Sequence, residues 1–258
     1  MSWKTWRYDC YNLRMYKPED IDLFLDIGAM GGDVFLMSRI LFPFSRVVGI
    51  EPNKESFEIL KRYIGPSSQC YNVALGDGTP LWLRSKNSKN GQCKFVPEGY
   101  TRDSSSYSVE SKLLSQMFSD YKLNVDSRFI IKCDVEGGEA FLLKEWEKSL
   151  AIIRKSIQFN IEIHLGSWNK PEDWDRYLED LRKTHNIYIG GYIREGRKKV
   201  KYFYKRLNSS LADIGGGWVP IMAQRRFENF PGKWEFDLYY NSLDAHWKYY
   251  CNGKVQGF

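Results

Sequence analysis

The sequence predicts an α/β chain built on a doubly wound, mainly parallel sheet of about seven strands with helices on both faces. Three observations carry that expectation. Short apolar runs alternate with helical patterns of roughly ten residues or more. The first run, residues 21–27, stops at the glycine-rich turn Gly28-Ala29-Met30-Gly31-Gly32, and Val34-Phe35-Leu36-Met37 begins a helix directly after it. A second strand, Arg46-Val47-Val48-Gly49-Ile50, closes on Glu51-Pro52-Asn53.

The turn and the acidic strand end form one motif. Glycines let a backbone approach a ligand, and the helix N-terminus behind them presents free N–H groups. An acidic residue roughly 20 positions after the turn, at a strand's C-terminal end, sits where ribose hydroxyls can be bound. Glu51 holds that place. The turn reads G-x-x-G-G and not G-x-G-x-x-G, and Asp26 stands just before it, where a carboxylate would repel a pyrophosphate. Asp26 would suit the amino and sulfonium groups of S-adenosylmethionine, and Asp-x-Gly-x-x-Gly with an acidic strand end is the class I methyltransferase pattern. An ordinary βα loop is the plainer alternative for a glycine turn taken alone.

Further elements follow in order. Residues 1–20 are a polar, aromatic lead-in, and residues 21–225 would form the catalytic domain. Asn53 can cap a helix to about Ile64, with Phe57, Leu60 and Ile64 on one buried face and Gly65-Pro66 as its stop. Residues 69–75 suggest a third strand whose end, at Asn72, Val73 and Ala74, would lie near an adenine ring. Residues 80–84 suggest another strand, and 85–107, rich in Ser, Lys, Asn and Gly, a long surface loop. From Ser111 a helical stripe carries Leu113, Leu114, Met117, Phe118 and Tyr121. Then come a strand over 128–134, a helix over 140–150, a strand over 157–164 and a helix opened by Pro171. Residues 186–193, a basic stretch and 218–224 supply closing strands, and 226–258 form an aromatic extension that could pack on the sheet, line a carbohydrate pocket or dock a partner.

Two strand ends collect the polar residues. Asp134, Glu136 and Glu139 follow one strand, while Glu162 and His164 end the next. Both face the crevice of a doubly wound sheet. Methyl transfer from a sulfonium needs an aligned acceptor and a base for the hydroxyl proton. His164, with an ordinary pKa of about 6.5, is the candidate base. Glu162 shares its strand face and could orient the imidazole, and Asp134 could hold the acceptor hydroxyl or the donor's methionine part. A hydrogen-bonded strand-end histidine is the plain alternative for His164; for Glu136 and Glu139 it is a helix-dipole partner. Asp134, Glu136 and Glu162 could also hold a divalent metal such as Mg²⁺, without a dense ligand motif to support it.

The ordered blocks resemble FkbM-type methyltransferases: Leu25-Asp26-Ile27-Gly28-Ala29-Met30-Gly31-Gly32, Gly49-Ile50-Glu51-Pro52, Asn72-Val73-Ala74-Leu75-Gly76-Asp77 and Ile131-Lys132-Cys133-Asp134-Val135-Glu136-Gly137-Gly138-Glu139, with Ile161-Glu162-Ile163-His164. The resemblance implies a Rossmann-like class I fold, S-adenosylmethionine as donor, and O-methylation of a hydroxyl, often on a sugar or polyketide. It places Asp26, Gly28, Ala29, Gly31, Glu51, Pro52, Val73, Ala74 and Asp134 around the cofactor. Met30 and Cys133 depart from the family's usual residues, and the end of the chain has no counterpart in it.

Composition bounds the alternatives. The 258 residues are 43% apolar and 27% charged, with no run long enough for a membrane span and no signal-peptide core at the start. The five cysteines are scattered without a C-x-x-C pair, which argues for reduced thiols and a cytoplasmic setting. Net charge is +6. Arg194, Arg197, Lys198, Lys199, Lys201, Lys205 and Arg206, interleaved with Tyr202, Phe203 and Tyr204, could bind RNA, or could be a solvated edge hairpin. A ribose 2′-O-methyltransferase would use a Lys-Asp-Lys-Glu tetrad; Asp134 fits its Asp, but Glu162 stands where its second Lys belongs. A domain that has lost catalysis and serves as a binding part is the third reading.

Overall fold

The computed structural model describes residues 11, 13–85, 93–96, 104–165, 169–195, 199–207, 210–211, 218–225, 248–251 and 254–257. In chain order the elements are β1 (Leu23–Ile27), α1 (Asp33–Leu41), β2 (Arg46–Ile50), α2 (Lys54–Leu60), β3 (Ser68–Tyr71), β4 (Ala74–Leu75), β5 (Leu81–Ser85), β6 (Cys93–Phe95), β7 (Ser106–Val109), β8 (Ser111–Lys112) and α3 (Leu114–Asp120). There follow β9 (Phe129–Cys133), α4 (Ala140–Lys144), α5 (Trp146–Ile153), β10 (Gln158–His164), α6 (Pro171–Arg182), β11 (His185–Glu195), β12 (Lys199–Arg206), β13 (Trp218–Arg225), β14 (Lys248–Cys251) and β15 (Lys254–Gly257). Short 3-10 turns occupy Leu13–Met15, Pro18–Asp20 and Lys61–Tyr63.

The main sheet has the order β12-β11-β13-β10-β9-β1-β2-β3. From β3 to β10 every pairing is parallel; β13, β11 and β12 add antiparallel pairings. This is the expected Rossmann-like class I arrangement, with an eighth strand where about seven were expected. The extra strand is β12, drawn from the basic stretch, which pairs with β11 as an edge hairpin.

Alternation along the strands sorts residues to two helical layers. Leu23, Leu25 and Ile27 of β1 and Phe129, Ile131 and Cys133 of β9 join a core with residues of α3 to α6, Trp174, Tyr177, Leu178 and Leu181 among them. Phe24 and Ile130 point the other way, onto Phe35 of α1, Leu60 of α2 and the lead-in residues Leu13 and Tyr16. Each fully buried side chain of this size contributes about 1.5–3 kcal/mol. Both faces of the central strands are covered, so those strands read as unbroken apolar runs. Asp26 and Lys132 interrupt that pattern.

Several boundaries differ from expectation for local reasons. The expected strand over 69–75 breaks after Tyr71, where its partner β2 ends; Asn72 turns its Nδ2 to the Glu51 and Pro52 carbonyls (2.8 and 3.0 Å), and Ala74–Leu75 pairs with Ser111–Lys112 instead. The helix expected from Ser111 therefore starts at Leu114, where the Gln116 side chain accepts the Leu113 N–H (2.9 Å). The helix over 140–150 is broken at Glu145, whose carboxylate accepts from the Ser115 main chain and hydroxyl (3.1 and 2.6 Å). The loop over 85–107 contains, where described, β6 and the start of β7, which flank β5 in a three-stranded antiparallel sheet. Asn53 caps α2 as expected, accepting from Ser56 N at 2.9 Å. Most of the lead-in and of the aromatic extension lies outside the described residues; β14 and β15 pair with each other. Among the described residues, Cys70 and Cys133 are free thiols and no helix is long and apolar enough to cross a membrane.

Candidate active site

Strand order reverses between β1 and β9: the chain runs from β1 to β2 on one side, and from β9 to β10 on the other. A doubly wound sheet opens its crevice at such a point, beyond the strands' carboxyl ends. The turn after β1 and the turn after β9 meet there. Asp134 N donates to the Ile27 carbonyl (3.0 Å), and a Cβ at Gly28 would stand 1.8 Å from the Asp134 carbonyl oxygen. Gly28 also has φ +79°, so both its conformation and its neighbour require glycine. Gly31 is different: a Cβ there would meet nothing within 4 Å, leaving the outer side of the turn open to approach. Ala29 is 4% exposed, packed into the smaller core.

Glu51 holds this turn. Its Oε2 accepts the Met30 N–H and its Oε1 the Asn53 N–H, both at 2.7 Å. Met30 is a non-glycine residue at φ 47°, a conformation that persists only where its surroundings enforce it. Burial pushes the Glu51 carboxyl up to about 7, against the two N–H donors that favour its charge. Its remaining lone pairs are free to accept hydroxyl donors. Pro52 follows, half-buried, with its carbonyl engaged by Asn72.

Three of the residues expected around the cofactor are enclosed in the free protein. Asp26, expected at an open strand tip, is fully enclosed; its Oδ1 pairs with Lys132 Nζ at 3.1 Å across the register Asp26↔Lys132. Lys132 takes the place of a cationic ligand. Burial pushes Asp26 upward while the ammonium opposes it; burial likewise opposes the charge on Lys132, but Asp26 and Asp134 outweigh it and hold that ammonium above its ordinary value. Nζ also donates to the Gly28 carbonyl at 2.6 Å. Val73 and Ala74 are 2% and 5% exposed, and Ala74, the first residue of β4, bonds through its N to the Glu110 carbonyl.

The other rim of the crevice is built by β9 and β10. The register Asn160↔Lys132 and Ile161↔Cys133 sets Glu162 level with Asp134. Glu139, fully buried, accepts at Oε1 both the His164 main-chain N–H (3.2 Å) and a short bond from Nδ1. Glu139, and not Glu162, therefore orients the imidazole: Glu162 Oε1 stands 4.0 Å from Nε2 and Glu136 Oε2 3.8 Å. Burial pushes the Glu139 carboxyl upward, and the bond and charge of His164 oppose that without cancelling it. Burial disfavours the imidazolium, but Glu139, Glu162 and Glu136 outweigh it and push His164 up to about 9. Burial, then Asp134, pushes Glu162 up to about 8. An unperturbed histidine base is thus not what the free site contains.

Asp134, Glu162 and His164 each offer one ligand atom within 4.8 Å of the others, a set that could hold a metal. His164 replaces Glu136 in the trio expected from sequence. Lys132 and the orienting role of Glu139 escaped the sequence reading. Their signal was a charge inside an apolar strand, and a carboxylate one helical turn past the strand end.

No curated protein matches the sequence. Solved structures do match in fold: a precorrin-6y C5,15-methyltransferase from Geobacter metallireducens (11% identity, 84% of this chain and 86% of that one, TM-score 0.43) and the N-terminal domain of human METTL16 in complex with SAH (11%, 86% and 68%, TM-score 0.40). The fibrillarin pre-rRNA processing protein of Methanococcus jannaschii also matches (12%, 81% and 69%, TM-score 0.41). The methyltransferase FkbM domain profile matches residues 26–184, from the Asp26 turn through Glu51 and Asp134 to the Glu162–His164 strand end. That is more than half of the chain and takes in every element of the crevice, so the chain belongs to the FkbM methyltransferase domain family.

Proposed function

We propose that this methyltransferase uses S-adenosylmethionine to methylate a hydroxyl oxygen, with a sugar or glycan as the acceptor class. The observation that carries the reading is the meeting of two unlike halves at one crevice: the Gly28–Gly31 turn tied to Glu51, and the Asp134–Glu162–His164 cluster beyond it. The turn, Glu51 and Pro52 would hold the adenosine and ribose. Asp134, Glu162 and His164 would face the acceptor.

In the transfer the acceptor oxygen forms a bond to the methyl carbon as the carbon–sulfur bond breaks, leaving neutral S-adenosylhomocysteine. The hydroxyl proton must go to a base. Burial and then Asp134 raise Glu162, and the neighbouring carboxylates raise His164 against its burial, so both favour their protonated forms in the free site. His164 or Glu162, once deprotonated, would take the hydroxyl proton, and a bound sulfonium nearby would favour those deprotonated forms.

A labelled-methyl transfer screen over glycans, RNA and small alcohols tests the reading, run with and without EDTA. Transfer to a glycan in EDTA is the expected result. Loss restored by Mg²⁺ would assign Asp134, Glu162 and His164 as ligands, and transfer to RNA alone would overturn the acceptor class. No heat with S-adenosylhomocysteine would leave only a binding role. The β11–β12 hairpin that carries the basic run lies beyond β13 from the β10 strand end, at the sheet's edge.

A further inference from the structure

Lys132 has no part in the chemistry just given, yet it is 3% exposed within a strand otherwise made of Phe129, Ile130, Ile131 and Cys133. Burying an ammonium is costly, and apolar replacements of a buried ion pair are often neutral or stabilising. Folding alone does not call for this residue. Its contacts point elsewhere. Nζ donates to the Gly28 carbonyl at 2.6 Å, at the residue where the chain swings to positive φ and the cofactor turn begins. It also pairs with the fully buried Asp26, whose Oδ1 lies 3.1 Å away. Its charge also bears on Glu51 on the donor side and on Glu162 on the acceptor side, favouring the ionised form of both.

We propose that Lys132 is a positioning residue for methyl transfer: it clamps the Gly28 carbonyl and Asp26, and so fixes the cofactor turn against the acceptor rim. The proposal rests on the methyltransferase reading for its consequence in catalysis, whereas the clamp can be measured without any donor.

The test uses the full chain and the paired variant Asp26→Asn with Lys132→Met, which removes both charges together. The expected result is a Tm within a few degrees of the wild type. In the same protein, amide exchange at Ala29, Met30 and Gly32 rises at least tenfold and affinity for S-adenosylhomocysteine falls at least tenfold. Pairing Asp26→Asn with Lys132→Gln, which returns a neutral donor toward the Gly28 carbonyl, should recover part of both. Unchanged exchange and affinity in the methionine pair would overturn the proposal, because Lys132 would then only neutralise Asp26. If the wild type binds no S-adenosylhomocysteine, the donor reading fails, while exchange at the turn still decides the clamp. If the paired variants do not fold, ammonium NMR of the wild type decides. A protected Lys132 signal coupled to the Gly28 carbonyl carbon is expected, and an unprotected one would overturn the clamp.

Discussion

The two halves of the crevice are finished to different degrees. On the donor side each charged group has its partner within the protein: Asp26 has Lys132, and Glu51 accepts from Met30 and Asn53. On the acceptor side Asp134, Glu136, Glu139 and Glu162 gather around His164, with Nε2 nearly 4 Å from its nearest carboxylates. The first half is preorganised in the free protein. The second gathers carboxylates around one histidine, whose imidazolium they favour. Each prediction below breaks or sharpens that contrast.

The largest effect is expected at the joint between the halves. Gly28→Ala would set a methyl group 1.8 Å from the Asp134 carbonyl in a left-handed conformation, and neither backbone can retreat without losing its strand. The variant should lose more than about 4 kcal/mol, or fail to fold. Urea denaturation measures this, and a near-wild-type midpoint would mean that the two turns do not meet as described.

His164→Ala comes next and separates the halves. Transfer should slow by about a hundredfold or more, with S-adenosylhomocysteine affinity unchanged because no donor-side contact involves His164. Calorimetry beside single-turnover kinetics reads both. Parallel loss of binding and rate would assign His164 to the fold. The mirror variant, Glu51→Ala, frees the Met30 and Asn53 N–H groups and should weaken that affinity by more than about tenfold. Unchanged affinity would remove Glu51 from the donor site.

How much of this was legible in the sequence follows the same division. The donor half announces itself in local chain chemistry: a strand, glycines that alone can make the turn, and an acidic residue at the next strand's end. Those features are short-range, so Gly28 and Glu51 could be named from spacing alone. Asp26 could be named but was misplaced, because its partner Lys132 is over a hundred positions away and meets it only through the β1–β9 register. The acceptor half depends on such registers throughout. Glu162 and His164 were found as strand-end residues, but the orienting role belongs to Glu139, on the far side of a turn that Glu136 (φ 49°) and Gly137 (φ 112°) bend back toward β10. Val73 and Ala74 fall outside the third strand because β3 stops where β2 does, a fact of pairing and not of propensity.

The smallest expected effect is a slope in thermal stability with pH, to which groups of both halves contribute. Folding raises the pKa of Glu51 to about 7, of Glu162 to about 8 and of His164 to about 9, from 4.5, 4.5 and 6.5. The folded chain therefore holds protons that the unfolded chain has released. Stability from these groups is complete below their unfolded values and is lost as pH rises through 7, 8 and 9. Asp77, held near 2 first by Thr79 and then by Lys144, acts in the opposite window: its contribution is present above 3.8 and is lost as acid protonates it. The Tm should thus decline from pH 6 to 9 by a few degrees, and Glu162→Gln should flatten the upper part of the decline by removing one proton site. Saturating S-adenosylmethionine should flatten it as well, since its cation takes over the protons' part in offsetting the cluster. A Tm that rises over this interval would mean that the acceptor half is already balanced in the free protein, and the difference between the two halves would disappear.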